Sequence, residues 1–194
     1  MADGRVKPEG DASFESSLSP DALAELEALG LSAKGGRKAA GLDPVEGRPA
    51  IVKRAIEAPQ VLNEAYDYDK PSSFTRGIRV ELPGATMLYL SGTASVDEQG
   101  ATLYEGDLKA QCLRTFRNLT LLLASEKASW HDVIRTTCYL RDIERDYDGF
   151  NRARTMFMTS IGLDPLPAST GIQTRLCRSD LLVEIEAIAI LPHG

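Results

Sequence analysis

Cysteine and histidine are both scarce. Cys112, Cys138 and Cys177 are an odd number with no CxxC spacing, and His131 and His193 are the only histidines. Neither a disulfide scaffold nor a structural zinc site is therefore encoded, and no metal is expected. Long apolar runs are missing too. Nothing approaches the ~18 consecutive apolar residues of a membrane span, and Met1 to Gly10 is polar, so no membrane association is expected and the expected compartment is the cytoplasm. No segment forms a basic patch: Lys and Arg total 22 against 28 Asp and Glu, a net charge of −6. That balance argues against a grip on nucleic-acid phosphate and leaves room only for a small cationic pocket. No Walker loop, GxGxxG, HExxH or EF-hand spacing occurs, so no cofactor is expected.

Aromatic residues are absent from most of the first third. Phe14 is the only one before Tyr66. With 194 residues the chain has room for one ordinary core and an appendage, not for two large domains. The division expected is an N-terminal arm over 1–57 and a folded domain over 58–194. Within the arm, Ser19-Pro20-Asp21 followed by Leu23, Leu26 and Leu29 and closed by Gly30 reads as a short capped helix. Ser32 to Pro49 is rich in Gly, Lys and Arg and reads as linker.

The domain reads as ββ, α, β, α, ββ. Ile78–Leu82 and Thr86–Ser91 flank Leu82-Pro83-Gly84-Ala85, a type II turn signal, and form a hairpin. After Gly106, Leu108, Cys112, Thr115, Leu119 and Leu122 recur at helical spacing. Val133–Leu140 is rich in β-branched residues and reads as a strand. Arg145–Ile161 is a second helix with Tyr147, Phe150, Ala153, Phe157 and Ile161 on one face. Strands over Thr170–Leu176 and Leu181–Leu191 close the chain. Helices interleaved with a mixed sheet and packed on one of its faces make an α+β sandwich.

The last strand is the most informative segment. Alternation sets Val183, Ile185, Ala187 and Ala189 on one face and Glu184 and Glu186 on the other. The two carboxylates stand about 7 Å apart in an otherwise apolar strand. They belong either to a solvated sheet face or to a partly desolvated site in which one of them holds a proton near neutral pH. Cys177 and Arg178 lie in the turn before it, with no histidine near in sequence to serve as base. Ser91-Gly92-Thr93-Ala94-Ser95 ends a strand in small residues, which permits a tight turn or the close approach of a ligand.

A resemblance runs through these residues. Ser91-Gly92, Gly106 with Gln111 and Asn118, Thr136-Thr137 through Tyr139-Leu140-Arg141-Asp142, Phe150-Asn151, Pro167-Ala168 and Val183-Glu184-Ile185-Glu186-Ala187 together resemble the RidA/YjgF family. The likeness extends from about Phe74 to Ile190. It implies a chorismate-mutase-like α+β fold, a homotrimer whose sheets form a barrel, and a small-molecule pocket at each subunit interface. Known members hydrolyse enamine and imine intermediates to ketoacids with release of ammonia. The resemblance implies a substrate-binding set that includes Phe74, Ser91, Gly92, Asn151, Ser169, Gly171 and Cys177 around Glu184 as acid/base, with a small carboxylate as ligand; Arg76, Arg175 and Arg178 complete the candidate set.

Three positions depart from that pattern. Ser169 stands where the deaminases carry a carboxylate-binding arginine, Phe74 where they carry a tyrosine, and Gly171 where they carry a cysteine. A hydroxyl does not replace a bidentate guanidinium, so Arg76, Arg175 and Arg178 become the candidate anion anchors. Cys177-Arg178-Ser179-Asp180-Leu181-Leu182-Val183-Glu184-Ile185-Glu186-Ala187 also resembles the C-terminal half of chorismatases, in which Glu184 matches the catalytic glutamate and Cys177 a pocket residue; those enzymes carry two such halves in one chain. The reading that results is a hydrolase or cleaving enzyme of small carboxylate-bearing metabolites. A non-catalytic small-molecule-binding or regulatory trimer and a chorismatase-like hydrolase are the alternatives. RNA cleavage, attached to the family by its L-PSP endoribonuclease name, is opposed by the acidic net charge.

Overall fold

Residues 16–31, 38–43, 45–47, 51–68 and 72–193 are described by a computed structural model. The chain divides into two units, Met1–Ala50 and Ile51–Gly194. In the first, helix α1 spans Pro20–Ala28. The Ser19 hydroxyl caps it by accepting from the Ala22 amide at 3.2 Å, and proline opens its first turn. None of its residues is buried. Phe14 and much of the Ser32–Pro49 stretch lie outside the described residues.

The second unit is a six-stranded sheet: β1 Lys53–Ala55, β2 Gly77–Leu82, β3 Ala85–Ala94, β4 Val133–Leu140, β5 Ala168–Gln173 and β6 Val183–Pro192, ordered β1-β2-β3-β6-β4-β5. Every pairing is antiparallel except β4 with β5. The β2–β3 hairpin turns at Gly84, whose φ of +81° suits the third position of a type II turn. Strand β1 carries no signal in the sequence, because Lys53-Arg54-Ala55 holds neither a β-branched nor an aromatic residue. It joins the sheet by antiparallel pairing with β2, and an ion pair ties it to the end of the helix that closes at Ser125. Arg54 clasps the buried Glu126 through both carboxylate oxygens, at 2.9 and 2.6 Å, and Arg79 joins at 3.2 Å.

Helices α2, Leu108–Ser125, and α3, Ile143–Ser160, follow their capping aspartates. Asp107 accepts from the Ala110 amide and Asp142 from the Arg145 amide. Both helices cover one face of the sheet, against Val183, Ile185, Ala187 and Ala189 of β6, all of them buried. Phe116 stacks on Phe157 with ring centroids 4.8 Å apart, and Trp130 meets both rings edge-on. Tyr147, expected on the buried face of α3, is exposed. It sits in the first turns of the helix, at the rim of the core, with its ring beside Gly171 of the edge strand.

This architecture is the α+β sandwich expected from the sequence, with two helices on one face. Its aromatic cluster is the tie between the helices. Replacing Phe116, 1% exposed, with alanine should cost about 3–5 kcal/mol and lower the urea midpoint with the slope unchanged. A loss under about 1 kcal/mol would show that the cluster does not hold the helices together.

Candidate functional site

The face of the sheet opposite the helices carries Glu184 and Glu186. On this face Tyr139 of β4 stands opposite Glu184, and Thr137 opposite Glu186. The sequence places Glu184 here by simple alternation, but the surroundings of its carboxyl depend on a defect in the neighbouring strand. Leu90 pairs with Ala187 and Thr93 with Ile185, so β3 has one residue more than β6 between these pairs. The extra residue is a β-bulge at Ser91-Gly92. It brings Gly92 against the Glu184 side chain so closely that a Cβ at position 92 would overlap the carboxylate. Ser91 is held by its amide to the Arg76 carbonyl at 3.0 Å and by its hydroxyl to the Thr75 carbonyl at 2.7 Å.

Glu184 is partly desolvated, and burial raises its pKa above the usual carboxylate value. The Glu186 carboxylate adds to the rise, while the Arg178 guanidinium opposes it. Burial and the same two carboxylates, Glu186 foremost, also push up the Tyr139 phenol. Two acids and a phenol close together in a semi-apolar setting favour retention of a proton.

Arg178 reaches this neighbourhood because its loop is pinned. Gln111 donates to the Asp180 carbonyl at 2.8 Å and accepts from the Leu182 amide at 2.8 Å, and Arg141 donates to the Arg178 and Leu181 carbonyls. The Arg178 guanidinium donates to the Gly100 carbonyl and lies 5.7 Å from the centre of the Tyr68 ring. Arg76 approaches the same ring at 4.9 Å, donates to its hydroxyl, and holds the Asn63 carbonyl through Nε and Nη2 at 2.9 and 2.7 Å. Phe74 contributes a second ring, 5.6 Å from Arg76. Tyr68 thus lies beside two guanidinium groups and itself packs where a side chain on Gly100 would stand.

Beyond Arg76 lies Glu64. It is 1% exposed, and neither carboxylate oxygen has a hydrogen-bond partner. Burial raises its pKa, with Arg76 the main opposing influence.

The candidate residues therefore separate. Phe74, Arg76, Ser91, Gly92, Arg178 and Glu184 cluster near the bulge. Asn151 and Ser169 lie together elsewhere, lining a cavity of about 190 Å³ between α3 and β5. Gly171 faces Tyr147, and Arg175 and Cys177 are exposed. A second hollow of about 270 Å³ on the open face is lined by Ile78, Tyr89, Ser91, Glu186 and Ile188. Sequence reading missed Glu64 and Tyr68, which precede the first strong strand signal and contact Arg76 only through the fold. Among the described residues no cluster of His, Cys, Asp or Glu is arranged to hold a metal ion, and no helix is long and apolar enough to cross a membrane.

Residues 59–191 match the family model described as endoribonuclease L-PSP. The chain belongs to this family, also known as RidA/YjgF. A RutC family protein of Pyrococcus abyssi is 28% identical over 102 residues, 53% of this chain and 76% of the relative. A 2-iminobutanoate/2-iminopropanoate deaminase of Mus musculus is 29% identical over 104 residues, 53% and 73% of the two chains. A putative regulator, AldR, of Lactococcus lactis is 26% identical over 103 residues, 53% and 78%. Among solved structures, the YjgF gene product of E. coli superimposes with a TM-score of 0.56 at 22% identity, covering 71% of this chain and 98% of its own. E. coli TdcF with bound serine superimposes with a TM-score of 0.57 at 22% identity over the same shares. The fold is thus that of the RidA/YjgF proteins, and some relatives are imine deaminases.

Two outcomes follow from the packing. Gly92→Ala should displace the Glu184 carboxyl and abolish any Glu184-dependent activity while the melting temperature drops by only a few degrees; full activity would mean that the close approach is dispensable. Glu64→Gln replaces a buried acid with a neutral isostere. Because the folded-state pKa lies above the ordinary 4.5, the stability tied to Glu64 protonation is fully present below that value and is lost as pH rises through the folded-state pKa. The variant should therefore gain on the natural protein in urea midpoint as pH rises from 4.5 towards neutrality. A difference independent of pH would show that Glu64 does not titrate in this window.

Proposed function

We propose that this RidA-family protein binds small carboxylate-bearing metabolites and protonates an electron-rich carbon–carbon double bond with Glu184, leading to hydrolysis. The observation that carries the reading is the Glu184 carboxyl, desolvated against Gly92 and held above its ordinary pKa. A carboxyl that keeps its proton near neutral pH is suited to general-acid work.

For an enamine, Glu184 gives its proton to the β-carbon as the nitrogen lone pair forms the C=N bond, leaving an iminium and a carboxylate. Water adds to the iminium carbon and yields a proton to the carboxylate. That proton passes to nitrogen, and as the C–N bond breaks the hydroxyl oxygen forms the C=O bond and returns its proton to the Glu184 carboxylate, so that ammonia and a keto acid leave and the acid is restored. An enol ether shares the first step and then loses an alcohol, which is the chorismatase-like variant of the same chemistry. Arg76 and Arg178 are the anchors for the substrate carboxylate, since both guanidinium groups lie beside Tyr68 and Arg178 acts electrostatically on Glu184. The assembly proposed is a homotrimer with pockets between subunits. In keeping with it, every residue of edge strand β5 is exposed, and Tyr89 and Ile172 stand uncovered on the open face.

A ligand-binding role without turnover is the second reading. It draws on Ser169 in place of the deaminase arginine and on the similarity to a putative regulator. Product assay separates the two. Glu184→Gln should lower the hydrolysis of 2-imino and enamine acids by at least a hundredfold (general-acid catalysis contributes roughly 10²–10⁴) while leaving folding and ligand binding intact; unchanged turnover would overturn the proposal.

The pH profile supplies a further check. An acid catalyst works in its protonated form, so activity should fall as pH rises through the Glu184 pKa. Glu186 raises that pKa, and Glu186→Gln should move the descending limb to lower pH. A limb that stays in place would remove Glu184 as its source.

A further inference from the structure

Glu64 is a buried acid that its own backbone does not use. It stands at the capping position of the short 3₁₀ turn Ala65–Asp67, yet its side chain caps nothing, and it is its carbonyl that accepts from the Asp67 amide. Both carboxylate oxygens are sealed from solvent and have no hydrogen-bond partner among the described residues. Burial without a partner disfavours the charged form of a carboxyl, so its protonation depends on the charges around it. Arg76 favours the charged form, while Glu57 and Asp67, both exposed, oppose it.

Arg76 is 5% exposed, and its hydrogen bonds go to neutral oxygens. Nε and Nη2 hold the carbonyl of Asn63, the residue that leads into Glu64, and Nη2 also donates to the Tyr68 hydroxyl. Nη1 donates to none of the described residues. The guanidinium is thus tied beside Glu64 by a backbone carbonyl rather than by a carboxylate, and it keeps one nitrogen for a ligand. The Tyr68 and Phe74 rings lie against it, and Arg178, which shares the Tyr68 ring, acts on Glu184. Acid and guanidinium interact here through charge alone, in a buried setting where screening is weak.

A pair of this kind couples a proton to a ligand. An anion on Arg76 offsets the positive charge that favours ionised Glu64 and adds a negative charge of its own, so the carboxyl takes a proton more readily. Reciprocally, protonation of Glu64 frees the guanidinium for the anion. We propose that Glu64 governs the affinity of Arg76 for a carboxylate ligand, and that binding of the ligand at Arg76 draws a proton from solvent onto Glu64. The coupling rests on the reading of Arg76 as an anchor for the substrate carboxylate. Affinity is highest at acid pH, where Glu64 is protonated in the free protein; it falls as pH rises and levels once Glu64 is ionised in the complex as well. Glu184 responds to an anion near Arg178 in the same sense, so the measurement is made without its carboxyl.

Calorimetric titration of full-length Glu184→Gln with pyruvate, a short 2-keto acid, measures the coupled proton when repeated in buffers of different ionisation enthalpy between about pH 5 and about pH 8. Protons should be taken up on binding, and affinity should fall about tenfold across this range, within the roughly 5–150-fold usual for coupled sites. Adding Glu64→Gln should abolish the uptake and hold the affinity at its acid-pH value up to about pH 8. Tighter binding at the alkaline end is a gain that loss of the fold cannot produce. Arg76→Gln in the same background should lose the binding. No pyruvate binding by Glu184→Gln, binding without proton uptake, or uptake undiminished by Glu64→Gln overturns the inference. Binding that survives Arg76→Gln removes Arg76 as the anchor and the inference with it, whereas binding that needs Arg76 and takes up no proton leaves the anchor standing and overturns the coupling alone.

Discussion

The pairing of β3 with β6 is the constraint on which the domain turns. Strand β6 runs through the middle of the sheet, and its alternation is strict: Val183, Ile185, Ala187 and Ala189 are buried beneath two helices, and the glutamates between them face the other way. A slip of one residue would drive two carboxylates into the helix-covered core. The apolar face therefore fixes the register, and the register fixes where Glu184 stands. The single irregularity in this pairing, the extra residue at Ser91-Gly92, gives Glu184 its close neighbour without disturbing the buried row.

Electrostatics across the site follow from how loops are tied rather than from charge adjacent in sequence. Gln111 and Arg141 spend their hydrogen bonds on the carbonyls and amide of the 178–182 loop. Arg178 is thereby aimed at Tyr68 and the Gly100 carbonyl while its charge still acts on Glu184. Arg76 is tied to the Asn63 carbonyl and lies between the Tyr68 ring and buried Glu64. Two guanidinium groups, Arg76 and Arg178, thus stand on the Tyr68 ring, with Glu64 acting on the first and Glu184 on the second. Burial raises the pKa of both Glu64 and Glu184, and the guanidinium beside each opposes the rise.

Family membership sets the fold and leaves the chemistry to individual side chains. Ser169 removes a positive charge from one strand position, and Arg154 brings another to its hydroxyl from a different element. A motif comparison along β5 registers the loss alone, because the gain comes from a helix at different spacing.

The sequence by itself determined most of the domain's elements and the facing of its central strand. The periods of 3.6 and 2 in α2, α3, β4 and β6 express local geometry that any apolar face must obey. It also marked Glu184 as an acid set among apolar neighbours. Only the tertiary structure decided that Lys53–Ala55 is a strand, that Tyr68 lies beside both arginines, that Glu64 is buried without a partner, and that Arg154 meets Ser169. These outcomes rest on contacts between residues distant in the chain. The bond from Arg54 to Glu126 and the bulge opposite β6 are set by where the packed elements bring their ends together, and no local period encodes them.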